Sequence, residues 1–175
     1  MSARARAIVA LALAAASCGA PDDGGARGYV RDRVGVASLS VPKSWQSQLA
    51  TTETERQVWS PAGGANDAKE TLAIRIAARR PRMSDEAILA AASAAQGALP
   101  RVKVVATRSL TTRQGWKALW LETSFQPSGS DQTYRRAHVT AIGREHVFHL
   151  FYTAVTPDPD WQVLDQAVDS LTEEG

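Results

Sequence analysis

His138 and His149 are the two side chains of this sequence whose type and spacing come nearest to a chemical site. Each lies inside a β-rich run, Thr133 to Ala141 and His146 to Val155. The segment between them, Ile142-Gly143-Arg144-Glu145, has the composition of a tight hairpin. With Gly143-Arg144 as the turn and Gly143 at a positive φ, Ala141 pairs with His146 and His138 falls opposite His149. Opposed side chains on one face have β-carbons about 5 Å apart, close enough for two imidazoles to share a transition metal. A third ligand is wanting, because Glu122 lies on the neighbouring strand but alternation turns it to the other face. Two half-buried histidines, one stacked on an aromatic ring and the other hydrogen-bonded, account for the pair more simply, and no cofactor is expected.

The other reactive residue types assemble into no familiar device. There is no Gly-x-Ser-x-Gly elbow, and Ser128-Gly129-Ser130 is loop composition. No Gly-x-Gly-x-x-Gly follows a strand and no phosphate loop is present. Most carboxylates fall in loops and at helix starts, where solvation or capping explains them, whereas glycoside chemistry needs two that converge. The expectation is a protein that binds and does not catalyse. The alternatives are an envelope hydrolase or metal-dependent enzyme using His138 and His149, and a carrier of a small apolar ligand. Among the five tryptophans, Trp116 and Trp120 lie four apart and share one side of a strand. Trp120 and Trp161 read as core, whereas Trp45 and Trp59 border turns and are the candidates for partner or ligand binding. Arg75, Arg79, Arg80 and Arg82 make a locally basic stretch, read as the solvated end of a strand with anion binding as the alternative.

Cys18 is the chain's one cysteine. It follows Arg4, Arg6 and an apolar stretch from Ala7 to Ala16, a basic start and short hydrophobic run that make an export signal. At about ten residues the run is half of what a membrane-spanning helix needs. Leu13-Ala14-Ala15-Ala16-Ser17-Cys18-Gly19 resembles the lipobox of bacterial lipoproteins, although Ala15 stands where leucine is usual and Leu13 is two residues early. The resemblance implies cleavage before Cys18 and a lipid on its sulfur, which places the protein in the cell envelope, on a membrane at its periplasmic or outer face. Two acyl chains hold a protein stably where one holds it marginally. Residues 1–17 are then the signal and residues 18–28, rich in Pro, Gly and Asp, the lipidated cysteine and its flexible tether. Residues 29–175 form one domain. With the lipid in place no thiol remains for a disulfide, a metal or a nucleophile.

Net charge excludes a further class of partner. The whole chain has 20 basic and 18 acidic side chains, and Arg4 and Arg6 are the excess, so the mature chain is balanced. A nucleic-acid binder needs a basic surface to displace counterions, so none is expected; the partners expected are the membrane, through the anchor, and an envelope protein or a small ligand.

The elements that position these residues can be read from period and punctuation. Val34 to Val41 is β-rich and ends at Pro42; Arg56 to Ser60 is a short strand; Pro61 to Asp67 is turn chemistry. Thr71 to Ala78 alternates, with Leu72, Ile74, Ile76 and Ala78 on one face and Arg75 on the other. Ser84 caps a helix whose Ile88, Leu89, Ala92 and Ala95 recur at helical spacing and which Gly97 and Pro100 end. This small-residue face is expected to pack closely on its neighbour. Strands follow at Val102 to Leu110, Trp116 to Phe125 and the two His-bearing runs. Asp160 then caps a final helix striped by Trp161, Leu164, Val168 and Leu171. Strands grouped in this way, not alternating with helices, give an α+β fold with an antiparallel sheet.

This order is similar to that of the Mog1/PsbP-like superfamily, which includes DcrB-like proteins and small bacterial lipoproteins. The likeness rests on Val41-Pro42-Lys43-Ser44-Trp45, on the aromatic-rich run His146 to Tyr152 after a mid-chain helix and long strands, and on Val168-Asp169-Ser170-Leu171 at the close of the last helix. It implies an antiparallel sheet flanked by helices in an α/β/α sandwich. It also implies a non-catalytic role, as an assembly factor or binding partner, with no shared catalytic motif.

Overall fold

A computed structural model describes residues 28–49, 56–61, 69–127, 131–156 and 158–174. Cys18, the signal, the tether up to residue 27 and Ser128-Gly129-Ser130 lie outside the described residues. The elements in chain order are β1 (Tyr29–Val34), β2 (Ala37–Pro42), β3 (Gln46–Leu49), β4 (Arg56–Ser60), β5 (Glu70–Ala78), α1 (Asp85–Gly97), β6 (Val102–Thr111), β7 (Lys117–Phe125), β8 (Tyr134–Ile142), β9 (His146–Ala154), α2 (Gln162–Ser170) and β10 (Thr172–Glu173). A seven-stranded sheet runs β3-β4-β5-β9-β8-β7-β6, and a three-stranded sheet runs β1-β2-β10. All neighbours are antiparallel. The fold is α+β. No helix among the described residues is long and apolar enough to cross a membrane.

The core forms on one face of the large sheet. Trp59, Leu72, Ile74, Trp120, Val139, Leu150 and Tyr152 point there at alternate positions along five strands. Leu164 and Val168 of α2, with Leu39 and Val41 of β2, close it from the other side. Burying each large apolar side chain contributes about 1.5–3 kcal/mol. Trp120 meets Trp161 edge to face at 5.6 Å, and Trp116 stacks on Phe148 at 5.4 Å, so the two tryptophans of β7 and its approach do share a side. Asp160 accepts from the Gln162 N–H at 2.9 Å, although Trp161 occupies the cap position of α2.

Several elements differ from the sequence reading. The run from Val34 to Val41 is broken by Gly35, whose φ of 56° turns β1 back onto β2. Two short strands, β3 and β10, carry too few residues for a visible period. The Ala-rich helix does not pack closely. None of the described residues of α1 is buried, although it lies near β6, β7 and β8. Alanine methyls are too short to fill the space, and polar contacts at the first turn hold the helix instead. Ser84 Oγ accepts from the Ala87 N–H at 3.2 Å, Asp85 pairs with Arg79 at 2.6 Å, and Glu86 pairs with Lys117 at 2.7 Å.

The β8–β9 hairpin also departs from expectation, by one residue at its turn. The Gly143 N–H donates to the His146 carbonyl at 2.9 Å, so Arg144-Glu145 are the central residues. Ala141 pairs with Phe148, and His138 lies opposite Phe151, not His149. Gly143 does not have a positive φ. It is required by close approach: a Cβ there would lie 2.7 Å from both Glu173 Oε2 and Phe148 Cε2. The Glu173 carboxylate accepts from the N–H groups of Arg144 at 2.6 Å and Glu145 at 3.1 Å, and it meets His146 Nδ1 at 2.7 Å. Burial works to raise the Glu173 carboxyl, but His146 and the two N–H donors outweigh it and hold it below the usual range.

Two outcomes are expected. Gly143→Ala lowers the melting temperature by about 3–10 °C, because the methyl must displace Phe148 or the clamp. Gly97→Ala, whose added methyl meets nothing within 4 Å, leaves it unchanged or slightly raised; thermal melts followed by circular dichroism compare the two. In native-state hydrogen exchange the amides of α1 open with a free energy well below that of β8 and β9, since the helix lacks the buried contacts that set the global value.

Candidate functional site

The face of the large sheet turned toward α1 carries the candidate chemistry. Strand alternation puts His138 and Thr140 of β8, His149 and Val147 of β9, and Arg75 and Ala77 of β5 on it, with Arg75 directly opposite His149 and Thr140 opposite His149 on the other side. His138 and His149 are therefore diagonal neighbours, yet their rings meet. His138 Nε2 is 3.1 Å from His149 Nδ1, and Thr140 Oγ1 is 3.2 Å from each. The His138 ring stacks on Phe151 with centroids 4.3 Å apart.

The electrostatics of the pair follow from this burial. His138 is only 5% exposed. Loss of solvent, with His149, Arg136 and Arg75 adding repulsion, lowers its pKa to about 3. Burial and Arg75 lower that of His149 to about 4. Both imidazoles are neutral at pH 7, and their facing nitrogens bond to each other and to the Thr140 hydroxyl. Glu122 is not a third ligand. It faces the core side, where it is buried and ion-paired with Arg135. Among the described residues no group of three or more His, Cys, Asp or Glu side chains converges on one point.

The two candidate tryptophans separate. Trp59 is 1% exposed and its indole Nε1–H donates to Asp32 Oδ2 at 2.7 Å, tying the large sheet to β1. It is a core residue and offers no surface to a partner, because a turn-bordering position in sequence does not reveal the lid that β1 provides. Trp45 is half-buried against the core, its ring stacked on Tyr152 at 6.5 Å. It retains the exposure that a contact residue needs.

Sequence alone allows a ligand between sheet and helix only if the Ala-rich helix face packs loosely. Because α1 stands off the sheet, an open cleft of about 420 Å³ lies between it and the β5–β9 strands. Ile88, Ala91, Ala92 and Ala95 form its helix wall, Ala77, Val147 and His149 its sheet wall, and Arg75 and Arg80 also line it. The signals were present separately, in an alanine stripe on the helix and a run of arginines before it. Only the strand order brings them together.

Among solved structures the chain is similar to LpqN of Mycobacterium tuberculosis, described as involved in cell envelope biogenesis, with a TM-score of 0.61 at 17% identity over 84% of this chain and 91% of that one. It is similar also to the Ran-binding protein Mog1p of Saccharomyces cerevisiae, with a TM-score of 0.60 at 8% identity over 83% of this chain and 95% of that one. The chain has a Mog1/PsbP-like fold. A protein of Bacteroides thetaiotaomicron matches over 80% of this chain with a TM-score of 0.58 at 11% identity, and the chain spans 46% of that protein's length. Such identities establish a Mog1/PsbP-like architecture and leave activity to be argued from the site. No protein-family model matches the chain, and no curated protein sequence does.

The buried histidines of this Mog1/PsbP-like sheet predict a pH dependence with a definite sign. Above pH 6.5 both are neutral whether the chain is folded or not. Below it the unfolded chain takes up protons that the folded chain refuses until about pH 4 at His149 and about pH 3 at His138. Stability therefore falls as pH drops through that window and levels off beneath it, at a cost of about 1.4 kcal/mol per unit of depression. Urea unfolding should show the midpoint dropping between pH 6.5 and about 5, above the range of most carboxylates. His138→Phe, which keeps the stack on Phe151, should flatten that slope.

Proposed function

We propose that the protein is a non-catalytic binding module of the cell envelope, exported through the signal in residues 1–17 and held on a membrane by a lipid on Cys18. The observation that carries the binding role is the open cleft under α1, with Arg75 and Arg80 along a mostly apolar groove. The buried pair His138 and His149 on the sheet face toward α1 is neutral and self-satisfied, with Thr140 as its third member. A general base must instead be poised near its working pH. That weighs against a hydrolase or metal-dependent enzyme built on the pair. The likeness to LpqN supports an envelope setting, and the likeness to a Ran-binding protein supports the use of this fold for recognition. The cleft also favours a second reading, a carrier of a small ligand with an apolar part.

Anchoring supplies the mechanism. A tether of about ten residues confines the domain to the neighbourhood of membrane-bound partners and raises its effective concentration there without any further contact. Trp45 is the residue we assign to a protein contact at the β3 end of the sheet.

Mass spectrometry of the exported protein should find Cys18 as the first residue, carrying a diacylglyceryl thioether. Cys18→Ala should move the protein from the membrane fraction to the soluble one, with loss of crosslinks to membrane partners. An exported chain with an unmodified Cys18 overturns the anchor.

A further inference from the structure

We propose that the cleft between α1 and the β5–β9 strands binds a medium-chain fatty carboxylate, the acyl chain lying between helix and sheet and the head group meeting Arg75 and Arg80. This rests on the binding-module reading above and names the ligand class of the cleft.

Three observations select that chemistry. The first is the opposition of two apolar walls: Ile88, Ala92 and Ala95 on the helix face Ala77 and Val147 on the sheet, with about 420 Å³ between them. That is within the roughly 300–1,000 Å³ of small-molecule sites. A helix that buries none of its own described side chains leaves this surface to be covered by something else.

The second is the charge. Arg75 and Arg80 line the cleft, and among the described residues neither has a carboxylate within 4.0 Å, whereas nearby Arg79 is engaged by Asp85 at 2.6 Å and by the Gly143 carbonyl at 3.1 Å. Among the described residues no acidic side chain lines the cleft. A cationic ligand would face two guanidinium groups with nothing to offset them. A neutral alkane would leave both unused, whereas a carboxylate gains charge-assisted hydrogen bonds of the kind arginine makes best.

The third is the state of His149, the polar member of the sheet wall. Its Nδ1 is within bonding distance of both His138 and Thr140, so it enters the wall as a neutral, already bonded group. Together the features describe an apolar slot with two cations, which suits an amphiphile with one anionic end.

The test is titration calorimetry of the full exported protein with hexanoate, octanoate and decanoate, each below its micelle concentration, and with decanol. Affinity should rise about fourfold per added methylene as each leaves water. Decanol should bind at least about tenfold more weakly than decanoate, as loss of a charged hydrogen-bond partner predicts. The double variant Arg75→Gln/Arg80→Gln should erase that difference while decanol binding is retained. Ala92→Leu, which fills the slot, should lose decanoate binding with circular dichroism and melting temperature unchanged. No decanoate binding, equal affinity for decanol and decanoate, or an unaltered preference in the double variant each overturns the inference. The anchoring reading is judged separately, by the fate of Cys18, so the two can fail independently.

Discussion

The register of the β8–β9 hairpin is set by one carboxylate. Glu173, on the two-residue strand β10, accepts the turn N–H groups of Arg144 and Glu145 and meets the His146 ring. Gly143 is the gap that lets it come so close. A turn centred one residue earlier would move every pairing along β9 by two, and His138 would face His149 squarely instead of Phe151. As built, the stack on Phe151, the contact with Thr140 and the opposition of Arg75 to His149 all follow from where that turn sits. Buried polar groups are costly to leave unpaired, and this register pairs the facing nitrogens of two histidines at once.

The two faces of the large sheet have different physics. The α2 side is filled by Trp, Leu and Val side chains from five strands, a helix and a second sheet, and close packing there makes the fold specific. The α1 side is covered by a helix with no buried residue, whose ion pairs and cap hydrogen bond lie at its first turn. Alanine gives α1 high helix propensity without a large buried face. The domain therefore joins a rigid layer to a lightly held one, and the cleft lies where the two part.

Much of the fold could be read in the sequence where a strong period coincided with a cap. The stripe of Trp161, Leu164, Val168 and Leu171 marked α2, and Ser84 with Asp85 and Glu86 marked α1. The alternation of Leu72, Ile74 and Ile76 marked β5. What stayed hidden depended on distant partners. The hairpin register answers to Glu173, beyond the reach of any local turn rule. Trp59 is core because Asp32 takes its N–H, and a border position next to a turn suggested the reverse. The cleft needed the strand order that sets β5 beside β9. The histidine pair was found by spacing alone, though its ring contact is diagonal and arises through a different alignment.

The distance along the chain between that turn and its clamp has a consequence for the order of folding. Glu145 and Glu173 are separated by 28 residues, so the local hairpin can pair before the carboxylate that fixes its alignment has been brought to the turn. Closing such a contact carries an entropic cost that local pairing does not. Until then the two strands can slide between neighbouring alignments, and the arrival of the Glu173 carboxylate at the turn ends the choice.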